Sequence, residues 1–588
     1  MKKIKSLLLI AFALPSVLDA QTVLPENFFM TKLQNGLEVL VIEDDNVPLV
    51  TIELTVHNGS MCEDSAFNGL SHLYEHMFFK ANKDYPSQEE YLKRVNELGI
   101  VFNGTTSTER VNYFITLEKS NRQAGLEFMN TAIRYPLFLQ EEMTKENPVV
   151  DGEFQRNESN PFFFLNDEMD HYLWGDLYCR KKPIGDHDII LSATPEKMRT
   201  IKDRYYYPNN TLLTFAGDID HTEAFSMAEK VMGDWQPAPF DPFVNWPIPE
   251  FKPLESSEQF IVENENSQVP IFMLGYIGPN TRHDLPATYA ADVFSYICAQ
   301  QQSKLQQALV ETGLAFQVQV SYSTQKFGGP INIILVPNPS TIKEAYDELY
   351  HQISMWDNDD YFTDEQLQIA KDLLSVDDAY SKEQTSQYIH TVTYWWASAS
   401  IEYYTAYIDN IQRVTRTEIQ NYVKNYITGY PHVSGLLLHP DMRTGMNIDS
   451  YFTETIKPVD FPVMFEENSA LLTEDAKSQL NAVIQWLKIN PRTKLKVQGY
   501  ADETEDLKMK DQKFLDLRSS YVDLNLYSEG KKSKKYVRLD LVRSLIITDY
   551  MIQHGIERTR IYGGASVIES KTESEVMSNY KTTISVTQ

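Results

Sequence analysis

Cysteine is scarce in this chain, and long apolar runs are absent after its N-terminus. The 588 residues contain three cysteines, Cys62, Cys179 and Cys298. Their spacing fits neither a cysteine metal site nor a disulfide framework, so we expect small buried apolar residues that form no disulfide. No later stretch reaches the roughly 18 apolar residues of a membrane-spanning helix, which predicts a soluble mature chain.

Basic residues are also in the minority. The chain has 53 lysines and arginines against 82 aspartates and glutamates, a formal net charge of −29. Phosphate backbones require a basic surface, so this balance argues against a nucleic-acid partner. Hydrophobic residues make up 42% of the chain, enough for real cores, and its length predicts three or four domains.

The N-terminus has the pattern of a secretory signal. Its basic segment contains Lys2, Lys3 and Lys5. Residues 6–17 are mostly apolar but too short to span a bilayer, and Ala20 is small enough for the position before cleavage. We predict a signal peptide over residues 1–20 and an exported protein. Leu18 departs from the small-residue rule, which leaves the cleavage site open.

The most informative stretch of the sequence is His72-Leu73-Tyr74-Glu75-His76. Apolar residues on both sides and the lack of proline predict a helix that begins near Leu70. Residues four apart share a helix face, so His72 and His76 supply two imidazoles for a zinc site. Glu75 is close to the same face and suits a general base better than a third ligand. This order, H-x-x-E-H, is the inverted zincin signature.

A catalytic zinc usually has three protein ligands, which requires a third residue elsewhere in the sequence. Glu146 and Glu153 are seven residues apart, or two helical turns, and therefore share one face of a downstream helix. Pro148 lies between them and is tolerated if it falls in the first turn of that helix.

The motif and the position of Glu153, 77 residues after His76 (153 − 76), resemble the pitrilysin/insulinase family of metallopeptidases. The resemblance implies that His72, His76 and Glu153 bind Zn²⁺. It also implies that Glu75 is the catalytic base. Glu146 is expected to contact the metal ligands without binding the metal itself. In that family the backbone of the substrate pairs with an edge strand and extends the sheet, a form of β-augmentation.

The resemblance also implies an α+β fold of two homologous units. The zinc-bearing unit is predicted over residues 21–237. Six prolines in residues 236–253 disfavour both helix and strand, which predicts a linker at residues 238–253. A second unit without zinc is predicted over residues 254–440, because it repeats the same order of strands and helices but has no second H-x-x-E-H motif.

The second unit departs from the family at one place. Family members often carry an arginine and a tyrosine there, which contact the substrate carbonyl. In this chain Phe316 takes the tyrosine position, and Leu309 or Val310, depending on register, takes the arginine position. None of these side chains can donate a hydrogen bond to an oxyanion. The sequence therefore predicts weak activity or a second chain that supplies the missing groups.

The last third of the chain follows a second predicted linker at residues 441–459. Residues 460–588 resemble the OmpA-like peptidoglycan-binding domain, a small α/β sandwich. By position, Asp502 and Arg543 match the family residues that bind the amine and the carboxylate of diaminopimelate. The 41 residues between them imply an insertion, and Arg518 within it is the rival of Arg543.

These observations together predict an exported zinc endopeptidase that hydrolyses peptides or unfolded proteins. The resemblance implies a periplasmic protein of a Gram-negative bacterium, tethered to peptidoglycan at the cell wall or outer membrane. Two units make only half of the family's chamber, which implies a homodimer or a homologous zinc-free subunit. The alternative is a non-catalytic, zinc-bearing scaffold or peptide-binding subunit of a cell-envelope assembly.

Overall fold

A computed structural model describes residues 24–521, 533–569 and 572–587 of the chain. The predicted signal peptide lies outside the described residues. None of the helices in the described ranges has both the length and the apolar character needed to cross a bilayer. The cysteines are free thiols, and two of them, Cys179 and Cys298, are buried.

The first unit is built on a six-stranded sheet. Its strands are β1 (Phe28–Lys32), β2 (Glu38–Glu43), β3 (Leu49–Val56), β4 (Val101–Thr106), β5 (Val111–Glu118) and β6 (Thr211–Gly217). They lie in the order β1-β2-β6-β3-β5-β4, with β2 and β6 parallel and the other neighbours antiparallel. Strands β2 and β3 are predicted by their β-branched residues, and both are confirmed. Strand β4 forms one edge, so its outer backbone groups have no partner within this sheet.

Nine helices accompany this sheet in the described residues. They are α1 (Leu70–Phe78), α2 (Gln88–Leu98), α3 (Arg122–Arg134), α4 (Gln140–Glu158), α5 (Pro161–Trp174), α6 (His187–Leu191), α7 (Pro195–Tyr205), α8 (His221–Met232) and α9 (Pro242–Asn245). Helix α2 ends at Gly99, where the backbone adopts a φ of 64° that favours glycine. Apolar residues of α1 and α3, among them Leu73 and Phe128, pack with the sheet into one core.

Helix α4 contradicts one condition set by the sequence. Pro148 is tolerated most easily in a first turn, but the helix begins at Gln140 and Pro148 lies in its interior. A proline there removes one backbone hydrogen bond and costs about 3 kcal/mol or more. Met143, Val150 and Phe154 of the same helix are buried in the core of the first unit, and this burial holds the helix together across the proline.

The second unit repeats the strand order of the first. Its strands are β7 (Glu258–Glu263), β8 (Ile271–Ile277), β9 (Ala315–Tyr322), β10 (Pro330–Pro337) and β11 (Val433–Leu438). Their order, β7-β11-β8-β10-β9, corresponds to β2-β6-β3-β5-β4, and the first pair is parallel in both sheets. The predicted pair of related units is therefore confirmed at the level of the fold.

The helices of the second unit occupy equivalent places in the chain. They are α10 (Leu285–Ala299), α11 (Lys304–Leu309), α12 (Ile342–Met355), α13 (Asp364–Ser381), α14 (Thr385–Ser398), α15 (Ile401–Thr405), α16 (Tyr407–Arg413) and α17 (Arg416–Tyr426). Helix α10 precedes β9 as α1 precedes β4. Helix α13 is the second helix after β10, as α4 is the second helix after β5.

Each unit covers the outer face of the other unit's sheet with one helix. Leu165 and Met169 of α5 pack on β7, β8 and β11. In return, Ile389 and Val392 of α14 pack on the first sheet. The fully buried carboxylate of Glu53 on β3 also accepts a hydrogen bond from Thr393 of α14 at 2.6 Å. The two units therefore share their cores through exchanged helices.

The last part of the chain forms a third, smaller sheet. Helix α18 (Pro440–Gly445) leads into a segment whose Ile448 and Phe452 are buried in the core of the second unit. The remaining elements are β12 (Phe461–Met464), α19 (Glu474–Ile489), β13 (Lys494–Asp502), β14 (Lys508–Met509), α20 (Gln512–Ser520), β15 (Val537–Arg538), α21 (Leu539–Gln553), β16 (Ile561–Ile568), α22 (Glu573–Ser578) and β17 (Lys581–Thr587). The sheet order is β12-β17-β13-β16, and β14 pairs with β15 apart from it.

Candidate metal centre

The position of helix α1 is fixed at its first turn. Glu63 is buried and accepts hydrogen bonds from the backbone N–H groups of Gly69 and Ser71, at 2.8 and 2.6 Å. Gly69 has a φ of 89°, and a Cβ atom there would lie 2.7 Å from the Cα atom of Gly185. A glycine is therefore required where the helix begins. The start of α1 is therefore held by Glu63 and packed closely against Gly185.

Helices α1 and α4 bring three ligand atoms together. The Nε2 atoms of His72 and His76 lie 3.7 and 3.8 Å from the Oε2 atom of Glu153. The ligand atoms of these three residues all lie within 4.8 Å of one another. A tetrahedral ion with bonds of about 2.0–2.1 Å needs donors about 3.3 Å apart, so a small contraction would complete the site. Two imidazoles and one carboxylate fit a catalytic zinc with one open position.

Glu146 orients one of these imidazoles. Its Oε1 atom lies 2.9 Å from His76 Nδ1, and its Oε2 atom lies 2.6 Å from the Nζ atom of Lys80. A carboxylate on Nδ1 turns Nε2 of His76 toward Glu153 and makes it a better ligand. In contrast, Nδ1 of His72 is buried and has no hydrogen-bond partner among the described residues.

Glu75 faces the same cleft but stands apart from the three ligands. Thr106 on strand β4 donates a hydrogen bond from its hydroxyl to Glu75 Oε2 at 2.7 Å. Gly104 lies beneath the side chain, where an added Cβ would be 2.8 Å from Glu75 Cγ. The strand therefore fixes one carboxylate oxygen and leaves the other free to accept a proton.

The charges of the cleft suit a cation. Burial lowers the pKa of His72 to about 4, so this imidazole is neutral and able to bind a metal at pH 7. Burial also raises the pKa of Glu75, although the hydrogen bond from Thr106 opposes this effect. Burial opposes the ionisation of Glu146, but the hydrogen bonds from His76 and Lys80 outweigh it and keep the Glu146 pKa below its usual value.

The cleft itself has a volume of about 440 Å³ and lies along the edge of the first sheet. Phe102, Asn103 and Thr105 of strand β4 line it together with the five charged and imidazole residues predicted from the sequence. The unpaired edge of β4 therefore runs past the candidate metal ligands. Lys80, Gly104, Thr106 and Glu63 complete the site, and no periodicity or motif in the sequence pointed to them.

The structure shows where the residues at the family's tyrosine and arginine positions lie in the second unit. Phe316 lies on strand β9 and 58% of its surface is exposed. Leu309 is fully buried at the end of α11, and Val310 packs partly against the same core. None of these residues lines the metal cleft.

The candidate peptidoglycan residues lie at the end of β13 and on α21, and both are fully buried. The guanidinium of Arg543 holds both carboxylate oxygens of Glu505, at 2.7 and 2.9 Å. Asp502 accepts hydrogen bonds from Thr504 and, at 3.2 Å, from the side chain of Asn579. The rival Arg518, on α20, donates to the backbone carbonyl oxygens of residues 533 and 536.

Two family models match the chain. The model described as "Insulinase (Peptidase family M16)" matches residues 38–175, which include H-x-x-E-H and Glu153. The model described as "Peptidase M16 inactive domain" matches residues 192–374. Neither model extends into the third sheet.

Curated proteins are similar to part of the chain. An uncharacterized zinc protease of Rickettsia felis is 30% identical over 206 residues, which are 35% of this chain and 50% of that protein. A probable zinc protease PqqL of Haemophilus influenzae is 29% identical over 251 residues, 40% of this chain and 27% of that protein. The chain spans half of the length of these relatives or less.

The fold of the two units also matches solved structures. A crystal structure of a protease from Helicobacter pylori has a TM-score of 0.63 at 20% identity and covers 70% of this chain and 99% of its own. The first half of the periplasmic protease PqqL from Escherichia coli has a TM-score of 0.59 at 18% identity and covers 71% of this chain and 93% of its own. At these identities the likeness establishes the fold alone.

The ligand geometry predicts that His76→Ala removes the metal. Only two donors would remain, and a two-donor site loses most of its affinity. Elemental analysis should find about one ion per chain in the wild type and close to none in the variant. His351→Ala, an exposed histidine of α12, is the matched control and should keep the wild-type content. Full occupancy in His76→Ala would refute the assignment.

Proposed function

Because the chain belongs to the insulinase family of peptidases, peptidase family M16, we propose that it is a zinc-dependent endopeptidase of peptides or unfolded proteins. The proposal rests on one observation: the three candidate ligands His72, His76 and Glu153 line the same cleft as Glu75. Relatives named zinc proteases support zinc as the metal that these three residues would hold. Zinc bound there would polarise the scissile carbonyl and make a water molecule more acidic.

Glu75 is the group that moves protons in this proposal. Its free carboxylate oxygen takes a proton from the attacking water and later gives it to the nitrogen of the leaving amine. Thr106 holds the other oxygen, so the carboxylate keeps one orientation through both steps. The raised pKa of Glu75, caused by burial, brings it closer to neutral pH, where a general acid–base works best.

Strand β4 supplies the means to hold a peptide. An extended substrate can pair with its free edge, and main-chain pairing selects extended backbone more than sequence. Because Gly104 and Thr106 of this strand also contact Glu75, the paired backbone would lie beside the base. Unfolded chains and peptides satisfy this requirement, whereas a folded surface does not.

Glu75→Gln tests the role of the base. The amide should leave the metal in place but cannot take up a proton, so we expect turnover to fall by about 10²–10⁴. Zinc content and cleavage of an unfolded protein should be measured on the same sample. Glu89→Gln, an exposed glutamate of α2, is the control and should match the wild type in both. Undiminished cleavage by Glu75→Gln would assign the proton transfers to another group.

One observation favours a second function, a zinc-bearing scaffold or peptide-binding subunit without catalysis. The second unit offers Phe316, Leu309 and Val310 where relatives often place hydrogen-bond donors, and two of these side chains are wholly or partly in its core. Loss of one oxyanion donor costs about 10²–10³ in rate. The intact Glu75 with its support from Thr106 favours the peptidase.

The same observation leads us to propose a partner subunit. In the family that this chain resembles, two such units make only half of a chamber around a peptide, and a second copy or a homologous zinc-free chain would close it. A partner with an arginine and a tyrosine would also restore the oxyanion donors.

We expect the activity per chain to rise with protein concentration, since assembly would complete the chamber. Cleavage of an unfolded protein should be measured across a dilution series together with light scattering. A homologous zinc-free subunit should have the same effect on a dilute sample. Full activity from a monomer that does not change on dilution would exclude an obligatory partner.

For the third sheet we propose an OmpA-like domain that tethers the exported enzyme to peptidoglycan in the periplasm. The element order β12-α19-β13-α21-β16-β17 supports it, as does the position of Asp502 and Arg543. In the structure Arg543 already binds an internal carboxylate, so a ligand carboxylate must displace Glu505.

Arg543→Lys tests the tether. An ammonium cannot form the planar two-pronged contact with a carboxylate, so we expect co-sedimentation with purified sacculi to weaken at least about tenfold. Arg518→Lys is the control for the rival assignment, and circular dichroism shows whether each variant is folded. Absence of sedimentation by the wild type, or an equal loss in both variants, would contradict the proposal.

A further inference from the structure

The second unit and the third sheet meet at a rigid junction. Asn490, at the end of α19, accepts a hydrogen bond from the N–H of Ser257 at 2.7 Å and donates one to its carbonyl oxygen at 2.9 Å. Arg560 donates to the carbonyl oxygens of Leu487, Asn490 and Thr493 at 2.8–3.0 Å. The loop after α19 is therefore held from both sides.

A cavity of about 730 Å³ opens at this junction. Its size is that of a small-molecule site. Tyr276, Tyr346, Ile353 and Ile427 are buried residues of the second unit that form much of its wall, and Ile489 adds to it from α19. None of the candidate metal ligands lines this cavity.

One hydroxyl in the wall forms no hydrogen bond among the described residues. It belongs to Tyr276, which lines the cavity and is 2% exposed as a whole residue. The hydroxyls of its neighbours are occupied: Tyr346 accepts from Gln259, and Tyr350 contacts His432. The Tyr276 hydroxyl is therefore available to a polar group of a molecule in the cavity.

The free charges at the rim are positive. Lys488 and Arg492 line the cavity and form no ion pair with any described residue. The two acidic residues at the rim already form ion pairs. Glu255 pairs with Lys457 at 2.8 Å, and Asp347 pairs with Lys343. A local excess of positive charge in a chain of net charge −29 selects an anion at this place.

We propose that this cavity binds a carboxylic acid with an apolar body. The carboxylate would pair with Lys488 and Arg492, and the apolar body would lie against the tyrosine and isoleucine wall. The Tyr276 hydroxyl would bond a carboxylate oxygen or a nearby carbonyl. Two sources share this chemistry, a fatty acid and the C-terminal residue of a peptide. The site lies outside the metal cleft, so its test does not depend on the proposed peptidase activity.

Calorimetry on the full mature chain tests the proposal with two matched pairs of ligands. The first pair is decanoate and decyltrimethylammonium, which differ in the sign of the head group. The second is N-acetylphenylalanine and its amide, which differ in the carboxylate alone. We expect saturable binding of one acid by one site, at least about tenfold tighter than its partner. Binding of decanoate alone would identify a fatty acid, and binding of N-acetylphenylalanine alone a peptide terminus.

Single substitutions locate the site. Lys488→Gln and Arg492→Gln should each weaken the binding of the acid about three- to tenfold. The effect is modest because both side chains are exposed to solvent. Tyr276→Phe keeps the ring but removes the hydroxyl, and it should weaken the binding of the acid by a similar factor. Lys477→Gln, also on α19 but outside the cavity, makes the same charge change and should bind as the wild type. The proposal is overturned if neither acid binds, if either control ligand binds equally well, or if Lys488→Gln and Lys477→Gln behave alike.

Discussion

The contact between helices α1 and α4 is the constraint on which the metal centre depends. One helix turn can present only two imidazoles to an ion, so the third donor has to come from another element. Helix α4 supplies Glu153, and its buried Val150 and Phe154 hold it in place despite the proline in its interior. The bond from Glu146 to His76 then joins the two helices at the site itself.

The internal repeat shows how one arrangement of helices serves two purposes. Across α1 and α4, histidine and glutamate face one another at the distances of metal ligands. Across the equivalent helices α10 and α13, the Tyr296 hydroxyl donates to Asp377 at 2.5 Å. The second unit therefore keeps the helix contact as an ordinary hydrogen bond. Its strand β9 retains the edge position of β4 but exposes Phe316 in place of a donor.

The sequence allowed the ligands to be predicted because they lie at fixed helical spacings, and the strands because β-branched runs mark them. It did not reveal Lys80, Thr106 or Glu63. Their roles depend on rotamers and on distances between elements far apart in the chain, which no local pattern encodes. The contact between Arg543 and Glu505 had no signal in the sequence for the same reason, because it depends on how the loop after β13 folds.

The exchange of helices α5 and α14 has a consequence for how the chain acquires its structure. The outer face of the first sheet, with Leu40 and Ile42, stays uncovered until α14 is available, and α14 begins at Thr385. The contacts of α14 with β3 and β6 thus join residues that are far apart in the chain, and such non-local contacts form slowly. Until α14 has been synthesised, the nascent chain exposes an aggregation-prone apolar surface, so the first unit cannot complete its folding without the second.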